Sequence, residues 1–451
     1  MIGGLLKSAS SVALFAALGL VAAAGVSPAQ AADLGGDCCA DLEERVAELE
    51  ATTARKGNRK VSLTISGQVE TAVMAWDNGD RSDVYIVDVP TVGGTFFQFN
   101  GAAKINPSLT AGFLIQVGLD FGGRSHQVSE NDDDGVNPVG GAGSGDSTLV
   151  VTLANWYLDH KQLGRVTVGR ANTATAGISG IDLGGAGVIA NVNLGYWNRS
   201  FSAIGTGFRW NDLLGGATVN GSTLSRGNVI NYTTPTLAGF SASAAWGEND
   251  VWDAALRYAG EFSGFRLAAG IGYLNNGSGV NEVTADIPAN DGKGEPRQIK
   301  GSASILHVGT GLYLSGSYVN VNNDQLGDVK DTVLWYVNGG ISKNWTGLGN
   351  TVLYGEYARV DNAAIDTDKG AGVTVGYGES TVWGLGIVQH IDAAAMELFL
   401  SYRHFDGRAP GGLTAPIKGT GTDENPQFPA EAFAGGDSEM DVVMGGARIR
   451  F

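Results

Sequence analysis

From Lys60 onward, hydrophobic and polar residues alternate with a period of two over most of the chain. Val61, Leu63, Ile65, Val69 and Val73 share one face, and Lys60, Ser62, Thr64, Ser66, Gln68 and Glu70 share the other. Phe97, Phe99, Ala103 and Ile105 alternate in the same way with Gln98, Asn100 and Lys104. The cleanest run follows Asn106-Pro107-Ser108. There Leu109, Ala111, Phe113, Ile115, Val117, Leu119 and Phe121 oppose Thr110, Gly112, Gln116 and Asp120. Strand side chains point to alternate faces, so each run predicts a strand with one apolar and one wet face. Thirteen residues of such alternation, 109–121, suit a tilted strand crossing a membrane better than an average soluble strand.

Connections of two unequal lengths alternate along the chain. The short ones are Asn106-Pro107-Ser108, His160 to Gly164, Thr234 to Gly239, Phe262-Ser263-Gly264, His307 to Gly309, Trp345 to Asn350 and Asp392-Ala393-Ala394. The long ones include Gly122 to Ser147, Ala171 to Ser225, Asn275 to Arg297 and Asp406 to Ser438. Short turns on one rim and long loops on the other are the pattern of an outer-membrane barrel. Counting strands between them predicts an all-β fold, a sixteen-stranded antiparallel transmembrane β-barrel over residues 60–451. Parity turns Asp253, Arg257, Glu261, Arg266, Glu397 and Arg403 toward water. A one-residue slip would put such charges into lipid at about 2–4 kcal/mol each near the midplane. In the last strand Val443, Gly445, Ala447 and Ile449 alternate with Met444, Arg448 and Arg450, up to Phe451.

Before Lys60 the pattern is different. Leu42, Val46, Leu49 and Thr53 follow 4-3-4 spacing and predict a short helix over Asp41 to Lys56, within a periplasmic segment 32–59. It is too short to be stable alone, so a trimer-associating cap and a solvated linker both fit. Cys38-Cys39 precede it; a lone vicinal pair leaves their redox state open. Lys7, the apolar run Ser10 to Ala24 and Ala29-Gln30-Ala31 read as a cleaved signal peptide, residues 1–31, rather than a retained anchor.

Composition narrows the class. The 451 residues include 70 Gly and 11 Pro, with 17 % charged and a net charge of −17, a balance that argues against nucleic acid as a partner. Mean hydropathy is zero, and beyond residue 31 no long apolar segment occurs. The remaining way to cross a bilayer is a closed barrel, which satisfies every backbone group between strands. Catalytic readings are thin. His126, His160, His307, His390 and His404 show no metal-ligand spacing, and neither H-E-x-x-H nor G-x-S-x-G occurs. The acidic run Glu130 to Asp134 resembles a calcium loop only in part, since Gly141 stands where the closing glutamate belongs. Gly140 to Gly145 matches nucleotide-loop patterns without a following helix. No enzyme activity, metal or cofactor is expected.

Several stretches together resemble the general porins of alphaproteobacteria. They are Asp37 to Arg45, Val61 to Val69, Leu163 to Arg170, Asn231 to Phe240, Ala254 to Phe262 and Ala447 to Phe451. The resemblance spans the mature chain. It implies a homotrimer in the outer membrane, among lipid and lipopolysaccharide, each barrel a water-filled diffusion pore for ions and small hydrophilic solutes. It also implies that Phe451 is read by the barrel-assembly machinery and that the third long loop folds into the pore. The candidate loop is Ala171 to Ser225, with Asp182 and Asp212 among Arg199 and Arg209, and with apolar Ile178, Ile181, Leu183, Val188 and Ile189. Asp182 is expected to project into the pore opposite Arg257 and Arg266, with Arg403 also lining it. A substrate-selective channel would show an aromatic ladder in the lumen, whereas alternation puts most aromatics outside. An adhesive or enzymatic barrel would need a filled lumen or a catalytic constellation.

Overall fold

The computed structural model describes residues 61–120, 123–130, 148–215, 226–275, 297–322, 330–366, 375–409 and 435–451. The chain divides into Met1–Thr64 and Ile65–Phe451. Of the first unit only residues 61–64 are described, and the opening strand begins at Ser62. The signal peptide, Cys38, Cys39, the helix over Asp41 to Lys56 and the acidic run beyond Glu130 lie outside the described residues.

The strands, in chain order, are β1 (Ser62–Asp77), β2 in two runs (Ser82–Asp88 and Phe96–Asn106), β3 (Leu109–Asp120), β4 (Thr148–His160) and β5 (Gly164–Asn172). After the longest connection come β6 (Arg226–Thr233), β7 (Phe240–Gly247), β8 (Trp252–Phe262), β9 (Phe265–Asn275), β10 (Arg297–His307) and β11 (Leu312–Asn322). The wall is completed by β12 (Thr332–Lys343), β13 (Thr351–Asp366), β14 (Val375–Ile391), β15 (Met396–Ala409) and β16 (Gly436–Arg450). Each strand pairs antiparallel with the next, and β16 returns to β1 with Gln68 opposite Arg450 and Asp77 opposite Asp441. Closure leaves no sheet edge, so the backbone needs no water within the hydrocarbon.

The count of sixteen holds because the two runs of β2 are one broken strand. Pro90 offers no N–H to the ladder and opens a single 3-10 turn, Pro90–Val92, which Gly93 ends at φ 110°. The Asp88 side chain fills the gap, accepting from the Thr95 backbone at 2.9 Å and the Thr95 hydroxyl at 2.8 Å. Elsewhere the turns are tight. Ser263 (φ 49°) and Gly264 (φ 79°) link β8 to β9 in two residues, a left-handed pair that matches strand twist.

Side-chain parity follows the alternation. On β11, Leu312 and Leu314 are exposed outward, while Tyr313, Ser315, Ser317, Val319 and Val321 are buried on the inner face. Outward aromatics form two bands. Trp252–Tyr273, Tyr318–Trp335 and Trp383–Tyr402 sit toward the long-loop rim, and Phe240–Tyr258 and Phe265–His307 toward the short-turn rim. Such paired girdles mark the two interfaces of a bilayer.

The largest buried apolar cluster lies inside the barrel. Inward Met74, Trp76, Val319, Leu334, Phe405, Met440, Val442 and Met444 pack with Val188, Ile189, Val192, Leu194, Trp197, Phe201, Trp210 and Leu213 of the β5–β6 connection. Trp76 meets Phe201 at 4.9 Å between ring centres, and Trp210 meets Phe405 at 5.7 Å. Part of the wall therefore serves as a core for the loop rather than as a wet lining.

Candidate functional site

Residues 173–215 run along the inner wall, touching the inward-facing set strand after strand. Contact begins at β8, where buried Asp253 accepts from Ala174 N at 3.0 Å, Thr175 N at 2.7 Å and Thr175 Oγ1 at 2.8 Å. Arg257 donates 2.7 Å bonds to the carbonyls of Ala174 and Ala176 and a 2.9 Å bond to Ser243 Oγ on β7. Serines on β10 and β11 take the next stretch. Ser302 donates to the Ile178 carbonyl, Ser317 donates to the Ser179 carbonyl at 2.6 Å, and Ser304 accepts from Leu183 N at 2.9 Å. An alternating polar strand supplies such donors at one per inward position.

At Asp182 the loop turns. Its carboxylate accepts the backbone N–H groups of Gly184, Gly185 and Ala186 at 2.8, 3.0 and 3.1 Å, and the Ser315 hydroxyl at 3.0 Å. His390 on β14 lies 3.1 Å from the Gly185 carbonyl. The loop then reaches Arg403 on β15. Arg403 is fully buried and donates to Glu356 at 2.6 and 2.8 Å and to the Asn191 carbonyl at 3.0 Å. Its guanidinium also stacks 4.5 Å from the Trp197 ring centre, and Tyr336 donates to Glu356 at 2.8 Å. Gly384 on β14 lies between the two charged residues. A Cβ there would come within 2.9 Å of Glu356 Oε1 and 3.0 Å of Arg403 Cγ, so the pair requires glycine at that position.

The far end is stitched to a second inward segment, residues 123–130. Ser125 donates to the Tyr196 carbonyl at 2.5 Å, Ser200 to the His126 carbonyl at 2.7 Å, and Ser202 to Glu130. Burial holds the His126 imidazole well below its usual range, and Arg199 and Arg124 push the same way. Ser380 on β14 closes the path by donating to Leu213 O at 3.0 Å.

The residues expected to line a constriction thus fall into three groups. Asp182, Arg257 and Arg403 are in the loop–wall contact, and the expected opposition of Asp182 to Arg257 and Arg266 is not formed. Asp182 is occupied by the amides of its own turn and Ser315, and Arg257 holds Ala174 and Ala176 instead. Arg266 lies apart, at the short β8–β9 turn, exposed and 3.0 Å from Glu261. Arg199, Arg209 and Asp212 belong to the later loop. Arg199 is half-buried, Arg209 is exposed, and Asp212 accepts from the Arg209 backbone at 3.0 Å to cap the single turn Trp210–Leu213. Asp253 was read as inward but water-facing, whereas it holds Ala174 and Thr175 of the loop. Glu356, Trp197 and the inward serines were missed, because each meets a partner far away in sequence. The alternation of Ser302 with Ser304 and of Ser315 with Ser317 was their signal.

Opposite the loop, inward Gln98, Thr110, Asn155, Tyr157, Asp159 and Thr167 are half-buried, and Lys104 and Arg165 are exposed. This is a hydrophilic strip on β2 to β5. Asp159 and Arg165 pair at 2.6 Å, with the guanidinium 4.3 Å over the Tyr157 ring.

Residues 14–410 match the model of the Gram-negative porins. The chain belongs to the Gram-negative porin family. As a porin it is an outer-membrane diffusion channel, and its long-loop rim is the outer one. No curated protein matches this porin in sequence. Among solved structures it is similar to the anion-selective porin from Comamonas acidovorans, with 15 % identity and a TM-score of 0.50. That match covers 87 % of this chain and 100 % of the other. It is also similar to OprB of Pseudomonas putida at high pH, with 11 % identity and a TM-score of 0.50 over 91 % and 97 % of the two chains. At these identities the likeness is one of fold.

Proposed function

We propose that this porin passes ions and small hydrophilic solutes passively, along an aqueous path between the inner loop and the hydrophilic strip on β2 to β5. The observation that carries the reading is the pinning of residues 173–215 to inward side chains from β7 round to β16. A sixteen-stranded barrel is too wide to discriminate among small solutes, so a fixed internal segment is what narrows it. Inward Tyr313, Tyr336 and Tyr354 are buried against other residues rather than exposed as a ladder, which favours a general pore over a substrate-selective one.

The same reading includes removal of residues 1–31 on export, kinship with the alphaproteobacterial general porins, and a homotrimer among lipid and lipopolysaccharide. The outward residues Val69, Val73, Val443, Gly445, Ala447 and Ile449 on β1 and β16 include no Tyr or Trp, which suits contact with a neighbouring protomer. Phe451 pairs its backbone with Gly67 at 2.9 and 3.1 Å and exposes its ring, as a signal for assembly machinery requires. Deleting it should sharply lower folded barrel in the outer membrane while export continues; unchanged levels of heat-modifiable barrel would contradict that role.

Solute flux into liposomes tests the function itself. A general pore gives rates that fall smoothly with solute size and rise linearly with concentration. Saturation by one solute at low concentration would show a selective channel instead.

A further inference from the structure

Inside a strand, a backbone carbonyl points along the sheet at the next strand and has nothing to offer the lumen. The break in β2 is different. Pro90 leaves the ladder, and in the turn Pro90–Val92 the Thr91 carbonyl faces the loop instead. Its neighbours are already matched. Asp88 N donates to Gly123 O at 2.9 Å, and Asp88 O accepts from Ser125 N at 3.0 Å. Pro90 O accepts from Gly93 N at 3.0 Å, and Thr95 O from Leu119 N at 3.0 Å. Two side-chain amides of the loop converge on Thr91 O, Asn191 Nδ2 at 3.1 Å and Asn193 Nδ2 at 3.4 Å. Val89 and Thr91 are both buried.

We propose that this break is a receptor for the loop tip, with Asn191 as the positioning residue that sets the width of the aqueous path. The inference rests on the passive pore described above and names the contact that fixes its edge. Asn191 is buried, and its side chain uses both ends. Oδ1 accepts from Asn193 N at 2.8 Å, while Nδ2 donates to Thr91 O and, at 3.4 Å, to Gly187 O. The amide fits one way round, because its donor end faces two carbonyls and its acceptor end faces an N–H. The Asn191 carbonyl accepts from Arg403 at 3.0 Å. One residue thus ties the tip to β15 on one side and to β2 on the other.

Between those anchors the wall turns Val442, Met444, Met74 and Trp76 inward. Apolar contact of this kind holds the loop against the wall but has no direction, so it does not fix the loop sideways. The polar contacts do. Arg403 fixes one side of the tip, and Thr91 fixes the side next to the hydrophilic strip, which begins on the second run of β2. A tip released at Thr91 swings on its Arg403 anchor, and the edge of the path moves with it. The ladder bonds that β2 gives up therefore have a function, since they turn one carbonyl into a latch.

The test records single channels of the full-length porin in planar bilayers. Asn191→Asp matches asparagine in size, yet when ionised it sets oxygen against the Thr91 and Gly187 carbonyls. Protonated, it donates again to one of them. The charged groups around it are Arg403 on β15 and Glu356 on β13, with Asp88 and Arg124 at the break. At about pH 8 the variant should show sublevels and current noise roughly threefold above wild type, and at about pH 4 it should match wild type at the same pH. The amount of heat-modifiable barrel should not change. Asn191→Ala should be noisy at both pH values, and it keeps the test open if the aspartate variant does not fold. Quiet records from either folded variant at the higher pH would overturn the proposal. So would equal noise in Asn191→Asp at both pH values, the mark of a merely loosened structure. A wild type that conducts no ions would sink the pore reading and this inference with it, whereas the variant outcomes bear on Asn191 alone.

Discussion

Two arcs of one wall obey the same alternation yet do opposite things with their inward faces. From β7 to β16 the inward residues are a docking surface: Asp253 and Arg257, then serines, then Glu356 and Arg403, then Phe405, Met440 and Val442. On the second run of β2 and along β3 to β5 the inward Gln98, Thr110, Asn155, Tyr157, Asp159, Arg165 and Thr167 are half-buried or exposed, whereas Tyr85 and Val87 on the first run of β2 and Thr91 in its break join the packed side. A period of two says only which residues point inward. Whether inward means wet or packed depends on a segment inserted between β5 and β6, and that segment creates the asymmetry on which the pore is built. The polar donors of the docking arc satisfy a loop backbone that would otherwise be buried unpaired.

The sharpest way to break the asymmetry is to strike the buried ion pair. Arg403→Ala leaves Glu356 buried without its partner, and loss of one member of such a pair costs about 3–5 kcal/mol. The barrel closure is untouched, so single-channel records should become noisy and the loop protease-sensitive while the barrel stays heat-modifiable. Arg403→Lys should restore quiet records only in part, since lysine cannot bridge both Glu356 oxygens and Asn191 O. Quiet records in Arg403→Ala would show that the loop is held without it.

A smaller effect is expected at the start of the loop. Asp253→Ala removes the acceptor for three bonds to Ala174 and Thr175, a loss of about 1–3 kcal/mol, to be seen as faster hydrogen exchange at those two amides. The His126 junction should respond to pH. The folded imidazole resists protonation, whereas the released loop takes up a proton below about pH 6.5. Its contribution is therefore intact at neutral pH and falls as the solution is acidified, by at most about 1.4 kcal/mol per pH unit. His126→Gln should flatten the difference in loop exchange between pH 7 and 5. On the bare arc, Asp159→Asn breaks a pair exposed by about half on each side, so stability should move by less than about 1 kcal/mol. The reversal potential in a salt gradient should shift toward anions; no shift would place the ion path away from β4.

Much of the scaffold was legible because alternation is local. Turns such as Ser263-Gly264 and the strand count needed no knowledge of distant partners. The break in β2 was legible in principle, from Pro90 followed by Gly93 and Gly94. For the loop, the apolar residues already spoke against a solvent-exposed tip: Ile178, Val188 and Ile189 are buried, while Ile181 and Leu183 are half-buried. The electrostatics were not legible. Asp182 reads as a free acid in sequence, yet in the fold it caps its own turn, and Arg403 reads as a pore cation although Glu356, distant in sequence, claims it. Charge roles depend on long-range partners, which alternation does not encode.

The central claim is that the docked loop sets the exclusion limit, and its most direct test is to shorten the loop. Removing residues between Ile178 and Val192 should raise unitary conductance by roughly twofold or more and admit larger sugars in liposome swelling, with a folded barrel. Wild-type conductance and an unchanged sugar cutoff in that variant would place the constriction elsewhere and contradict the account.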